Sequence, residues 1–155
     1  MDRILRIMVV EDDVLLCQSL EIQIGNAGHC VMGSYGSFNE VQECTRLREV
    51  DLAVVDYNLG SGGKGTDVAA WLHEAYSTPC VYLTANAGRI NIHAPGTIGL
   101  IEKPYSYNCL KLALDFLYRK LLVPPPKAGC PSCLNLSPIY QKAWLTGNSP
   151  STLTH

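Results

Sequence analysis

Four apolar runs of this chain each give way to residues that can hold ions or form covalent bonds. Val9-Val10 leads into Glu11, Asp12 and Asp13; Val54-Val55 into Asp56, Tyr57 and Asn58; Tyr82-Leu83 into Thr84; and Leu100-Ile101 into Glu102, Lys103 and Pro104. If these runs are neighbouring strands, carboxylates, a hydroxyl and an ammonium meet on one rim. Clustered carboxylates repel one another, and a cation that joins them relieves the repulsion. An oxygen set with few protein carboxylates suits magnesium, which keeps several waters and is shared with phosphate. A carboxylate beside that ion can attack phosphorus and form an acyl phosphate. Lys103 and Thr84 would then stabilise charge on the group in transfer, and Asp56 is the acid this reading selects as acceptor.

The elements that must position these groups follow from apolar periodicity. Strands are expected at Ile4 to Val10, Cys30 to Tyr35, Leu52 to Asp56, Pro79 to Thr84 and Thr97 to Ile101. Helices are expected at Asp13 to Ala27, Phe38 to Arg48, Thr66 to Tyr76 and Ser106 to Leu122, with one or two turns surviving between Ala85 and Pro95. Their inward faces would carry Leu16, Cys17, Leu20, Ile24 and Ala27 on the first helix, Val41, Cys44 and Leu47 on the second, and Val68, Ala69, Leu72 and Ala75 on the third. Strands that alternate with helices imply an α/β fold, a doubly wound five-stranded parallel sheet with ligands bound beyond the carboxyl ends of its strands.

Residues 3 to 122 resemble the receiver domain of two-component response regulators. The matches are Val9-Val10-Glu11-Asp12-Asp13, Val54-Val55-Asp56-Tyr57-Asn58-Leu59, Leu83-Thr84-Ala85 and Glu102-Lys103-Pro104-Tyr105. Each is weak alone, and the four together in order are strong. The resemblance implies a flavodoxin-like (βα)5 fold with strand order 2-1-3-4-5. It implies Asp56 as phosphoacceptor, Asp12 as a direct Mg2+ ligand, Glu11 as an acid acting largely through water, and Asn58 as a main-chain ligand. It also implies contacts from Thr84 and Lys103 to the phosphoryl group, and a cis bond at Lys103-Pro104. The partners it implies are a histidine kinase or histidine phosphotransfer protein and a downstream protein that docks on the fourth helix, fifth strand and last helix.

Two departures stand out. The aromatic residue usual three positions before the lysine is Leu100, so the common Thr–Tyr switch is absent. Nineteen positions separate Thr84 from Lys103, fewer than usual, and they hold poor helix formers. A phosphorylation-independent scaffold is therefore a rival reading. A magnesium-dependent phosphohydrolase of the haloacid-dehalogenase type is a weaker one, because that group places Asp-x-Asp after its first strand. A flavin-binding protein is weaker still, since unpaired acids would repel the flavin's phosphate. The chain is not expected to be an enzyme in the ordinary sense, beyond slow loss of its own acyl phosphate. Gly60 to Thr66 is no phosphate-binding loop, because Lys64 is followed by Gly65.

At 155 residues, 47% hydrophobic and 17% charged, with mean hydropathy +0.08, the composition supports one packed domain. A formal charge of −2 advertises neither nucleic-acid nor membrane-surface binding. No apolar run is long enough to span a bilayer, and the first is not of signal-peptide form. Residues 1–123 read as the receiver and 124–155 as a Pro-rich extension with no second domain, since the latter holds six of the nine prolines and only Lys127 and Lys142 as charged side chains. Pro124 to Pro126 would form a stiff exit from the last helix. The extension's Leu134, Leu136, Ile139, Tyr140, Trp144 and Leu145 leave several fates open: packing on the body, binding a partner, homodimer contact through a short helix at 138–145, or a loose end. Of the seven cysteines, the first five (17, 30, 44, 80 and 109) read as free core residues, and Cys130 and Cys133 as an incidental pair. Together they suggest a reducing, cytoplasmic setting.

Overall fold

A computed structural model describes residues 4–121 and 129–146 of the chain. Six strands, β1 (Arg6–Val10), β2 (Cys30–Tyr35), β3 (Leu52–Asp56), β4 (Cys80–Thr84), β5 (Thr97–Glu102) and β6 (Leu134–Leu136), form one sheet in the order β2-β1-β3-β4-β5-β6. The first five pair in parallel, and β6 runs antiparallel to β5. The helices are α1 (Val14–Asn26), α2 (Phe38–Gln42), α3 (Gly65–Tyr76), α4 (Tyr107–Leu121) and α5 (Pro138–Thr146). The five-stranded parallel sheet read from the sequence is present, with a sixth strand added at its edge.

Strands buried on both faces of a parallel sheet need unbroken apolar runs. Ile7, Val9, Leu52, Val54, Val81 and Leu83 face one side, where Leu20 and Ile24 of α1, Leu110 and Leu114 of α4 and Tyr140 of α5 complete the core. Met8, Val10, Ala53, Val55 and Tyr82 face the other side, against Val41 of α2 and Val68, Ala69 and Leu72 of α3. The pleat thus sends successive side chains to opposite layers while the strand ends share one rim.

Local chemistry sets most boundaries. The Asp13 carboxylate caps α1 by accepting from Leu15 N (2.9 Å) and Leu16 N (3.1 Å). Ser106 Oγ accepts from Cys109 N (3.0 Å) at the start of α4. Two expectations need correcting. The second helix stops at Gln42, where Cys44 N turns to Val41 O, and Leu47 reaches the core from a 3-10 turn at Leu47–Glu49 instead. Leu16 and Ala75 are exposed, because their helices bury a narrower stripe than the periodicity suggests. Between β4 and β5 a 3-10 turn, Ala87–Arg89, forms and is followed by turns closed by Ala94 N to Asn91 O (3.2 Å) and Thr97 N to Ala94 O (3.2 Å), in line with the one or two turns expected there.

The extension packs on the body. Gly99, Leu100 and Ile101 of β5 pair with Leu136, Asn135 and Leu134, and Ser137 N donates to Ile98 O (2.7 Å). Gly99 has to be glycine here, since a Cβ would run into the carbonyl oxygen of Asn135. In α5, Tyr140 and Ala143 are buried, and Trp144 meets Phe116 of α4 edge-on at 5.6 Å between ring centroids. Cys109 is disulfide-bonded to Cys133, with Cα atoms 6.1 Å apart, which corrects the reading of Cys109 as a free core thiol and of Cys133 as half of an incidental pair. Cys130 is an exposed free thiol. The edge of the fifth strand, part of the expected output surface, is thereby covered by the chain itself. The proline exit, Lys127 and the expected helix end at Leu122 lie outside the described residues.

Candidate phosphoacceptor site

The carboxyl ends of β1, β3, β4 and β5 bring the expected residues together. The ligand oxygens of Glu11, Asp12 and Asp56 lie within 4.8 Å of one another. Lys103, just past β5, reaches across with Nζ 3.5 Å from Asp56 Oδ2 and 3.7 Å from Glu11 Oε1. Its own N–H donates to Thr84 O (2.7 Å), and the Lys103–Pro104 bond is cis. Thr84 is buried, with Oγ1 accepting from Asn86 N (3.0 Å). Asn58 N donates to Asp56 Oδ1 (3.2 Å), while Asn58 Oδ1 accepts from Gly60 N (3.0 Å), so the side chain shapes the loop. The N-terminus of α3 presses against this loop so closely that a Cβ at Gly65 would collide with the backbone of Asp56 and Tyr57.

The electrostatics favour a cation. Burial, followed by the hydrogen bond and charge of Asp56, pushes the Glu11 carboxyl up to about 8, against the opposing pull of Lys103. Glu11 Oε2 is buried without a hydrogen-bond partner among the described residues. A buried orphaned oxygen beside two more carboxylates is a donor set that fits a hard divalent ion. One ammonium cannot neutralise all three acids.

Asp56, Asn58, Thr84 and Lys103 open onto a cleft of about 660 Å3 that Lys64 and Arg89 also line. These two cations went unrecognised in the sequence, one inside a glycine-rich loop and the other in a segment with no periodicity. Tyr57 holds the neighbouring turn by donating its hydroxyl to Arg89 O (3.3 Å), and its ring meets Tyr82 edge-on at 6.0 Å. Leu100 sits opposite Tyr82 in the strand register and is buried in the core of that layer. The place of the usual mobile aromatic is occupied by packing.

The family model for the response regulator receiver domain matches residues 7–115, and the chain belongs to that family. The virulence transcriptional regulatory protein PhoP of Salmonella typhimurium strain LT2 is 25% identical over 119 residues, covering 75% of this chain and 53% of that protein. The transcriptional regulatory protein PhoP of Escherichia coli K12 is 26% identical over the same length and shares. The chain thus spans about half the length of these curated relatives. Among solved structures, the non-phosphorylated HemR receiver domain of Leptospira biflexa matches with a TM-score of 0.63 at 29% identity, covering 80% of this chain and 99% of that one. The receiver domain of the Erythrobacter litoralis response regulator PhyR matches in fold with a TM-score of 0.64 at 20% identity, covering 81% and 97%.

Proposed function

We propose that this chain is a phosphoacceptor of a two-component phosphorelay, phosphorylated on Asp56 with Mg2+ and signalling through a protein–protein contact. The observation that carries the reading is the Asp56 carboxylate, held 3.5 Å from the Lys103 ammonium and within 4.8 Å of the oxygens of Glu11 and Asp12. Glu11, Asp12, Asp56 and the main-chain carbonyl of Asn58 would hold magnesium, which when bound neutralises negative charge on the phosphoryl oxygens. One Asp56 oxygen attacks the phosphorus of a phosphohistidine donor. The P–N bond breaks, and the donor imidazole leaves with the electron pair. Lys103 compensates charge on the transferring group, and the Thr84 hydroxyl turns from its local contact to donate to it. Asn58 N, already bonded to Asp56 Oδ1, holds the acceptor's rotamer.

The donor is a histidine kinase or histidine phosphotransfer protein, the target is another protein, and the setting is cytoplasmic. No helix among the described residues is long and apolar enough to cross a membrane. Later hydrolysis of the acyl phosphate acts as a timer, not as turnover of a substrate. Incubation with magnesium and phosphoramidate, read by intact mass, tests the proposal: one phosphate adduct is expected, absent in Asp56→Asn and without magnesium. The buried Leu100 and the short turns that stand between β4 and β5, among them the 3-10 turn at Ala87–Arg89, support one rival, a scaffold whose binding ignores phosphorylation. A folded, magnesium-binding protein that takes no phosphate would support that rival.

A further inference from the structure

The disulfide and the strand it anchors are outside the phosphoacceptor site, and they form one device. Cys109 lies in the first turn of α4, and Cys133 directly precedes β6. The bond therefore ties the start of the added strand to the body, and the rest of the cap follows from it: three residue pairs with β5, then α5 with Tyr140 and Trp144 against α4. Three residues before Cys133 stands a second sulfur. Cys130 is exposed and unbonded, and its thiol donates to the carbonyl of Leu134 (3.2 Å), the residue after Cys133. The intervening Pro131-Ser132 forms a turn closed by Leu134 N to Pro131 O (3.1 Å), which sets the Cys130 thiol against the main chain of the residue that follows Cys133. Cys-x-x-Cys is the spacing of thiol–disulfide oxidoreductases, whose exchange runs through attack of a thiolate on a disulfide sulfur; burial pushes the Cys130 thiol up, so the exchange should quicken with rising pH.

We propose that the Cys130–Cys133 segment is a thiol–disulfide exchange site in which Cys133 alternates between Cys109 and Cys130, latching and unlatching residues 134–146 from β5 and α4. In the exchange the Cys130 thiolate attacks Cys133 Sγ. The Cys133–Cys109 bond breaks, and Cys109 leaves as a thiolate that takes up the proton Cys130 released. One disulfide and one thiol exist before and after, so no oxidant or reductant is consumed. Cys133 is half-buried, whereas Cys109 is nearly covered by the core, so Cys133 is the sulfur the exchange engages. Cys80, fully buried in the sheet, takes no part. With Cys133 bridged to Cys130, only noncovalent contacts hold β6. A disulfide in a reducing setting is characteristically labile and regulatory, unlike those that staple secreted domains.

The test uses the full chain equilibrated in buffers of reduced and oxidised glutathione, quenched in acid, alkylated and mapped by peptide mass. Two bridged species are expected across the series, Cys109–Cys133 and Cys130–Cys133, each with the third cysteine alkylated. Deuterium uptake in 97–102 and 134–146 should rise severalfold in the second species. Cys130→Ser, a change at an exposed position, should retain only the first bridge. The proposal is overturned if wild type never forms the Cys109–Cys133 bridge, if it never forms the Cys130–Cys133 bridge, or if both form with equal deuterium uptake.

Discussion

At the scale of the residue, the site depends on charges that only work together. Lys103 is the one cation within 4 Å of both Asp56 and Glu11 among the described residues. Lys103→Ala should therefore slow phosphate uptake by about 10- to 1000-fold, as loss of one charge-stabilising donor does, while leaving the fold intact; intact-mass time courses would measure it. His29 makes a separate prediction. Its Nδ1 accepts from Leu5 N (3.3 Å), and burial lowers its pKa below the usual 6.5, against the upward pull of Asp115. The unfolded chain then binds more protons at this residue than the folded one, so stability rises with pH through this window and is lost as pH falls below about 6.5. Urea melts of wild type and His29→Gln between pH 5 and 8 should show the wild-type slope flatten in the variant. The acids, Thr84 and Lys103 were legible in the sequence because each follows a short apolar run. Lys64 and Arg89 were not, because neither lies at a strand end and only the cleft brings them near Asp56.

At the scale of the element, each boundary has a physical cause that substitution can expose. Asp13→Ala removes two capping bonds from α1 and should cost about 1 kcal/mol in chemical denaturation. Gly99→Val is of another kind, because its side chain would meet the Asn135 carbonyl. It should expel β6, raising deuterium uptake across 134–146 while leaving the parallel sheet and phosphate uptake in place. The strands were readable because a strand buried on both faces must be continuously apolar. The second helix was overread: its apolar residues kept helical spacing, but the chain reached the same cluster with a short helix and a separate 3-10 turn. Periodicity reports which residues face inward and leaves open the backbone that turns them there.

At the scale of the whole molecule, the extension makes a receiver whose β5 edge is already occupied. Closing the 24-residue loop between Cys109 and Cys133 should stabilise the fold by about 3 kcal/mol through loss of unfolded-state freedom. Cys109→Ser should accordingly lower the denaturation midpoint, and a reducing agent should bring wild type down to the same value. By itself the sequence determined the order of strands and helices, the strand-end residues of the site and the layered core, because these follow from local patterns of apolar and polar residues. Tertiary structure alone decided that Leu134 to Leu136 pair with β5, that Cys133 meets Cys109, and that Lys64 and Arg89 line one cleft with Asp56. Those contacts join segments far apart in the chain. A three-residue strand has too few positions to show a period, and a cysteine carries no mark of its partner.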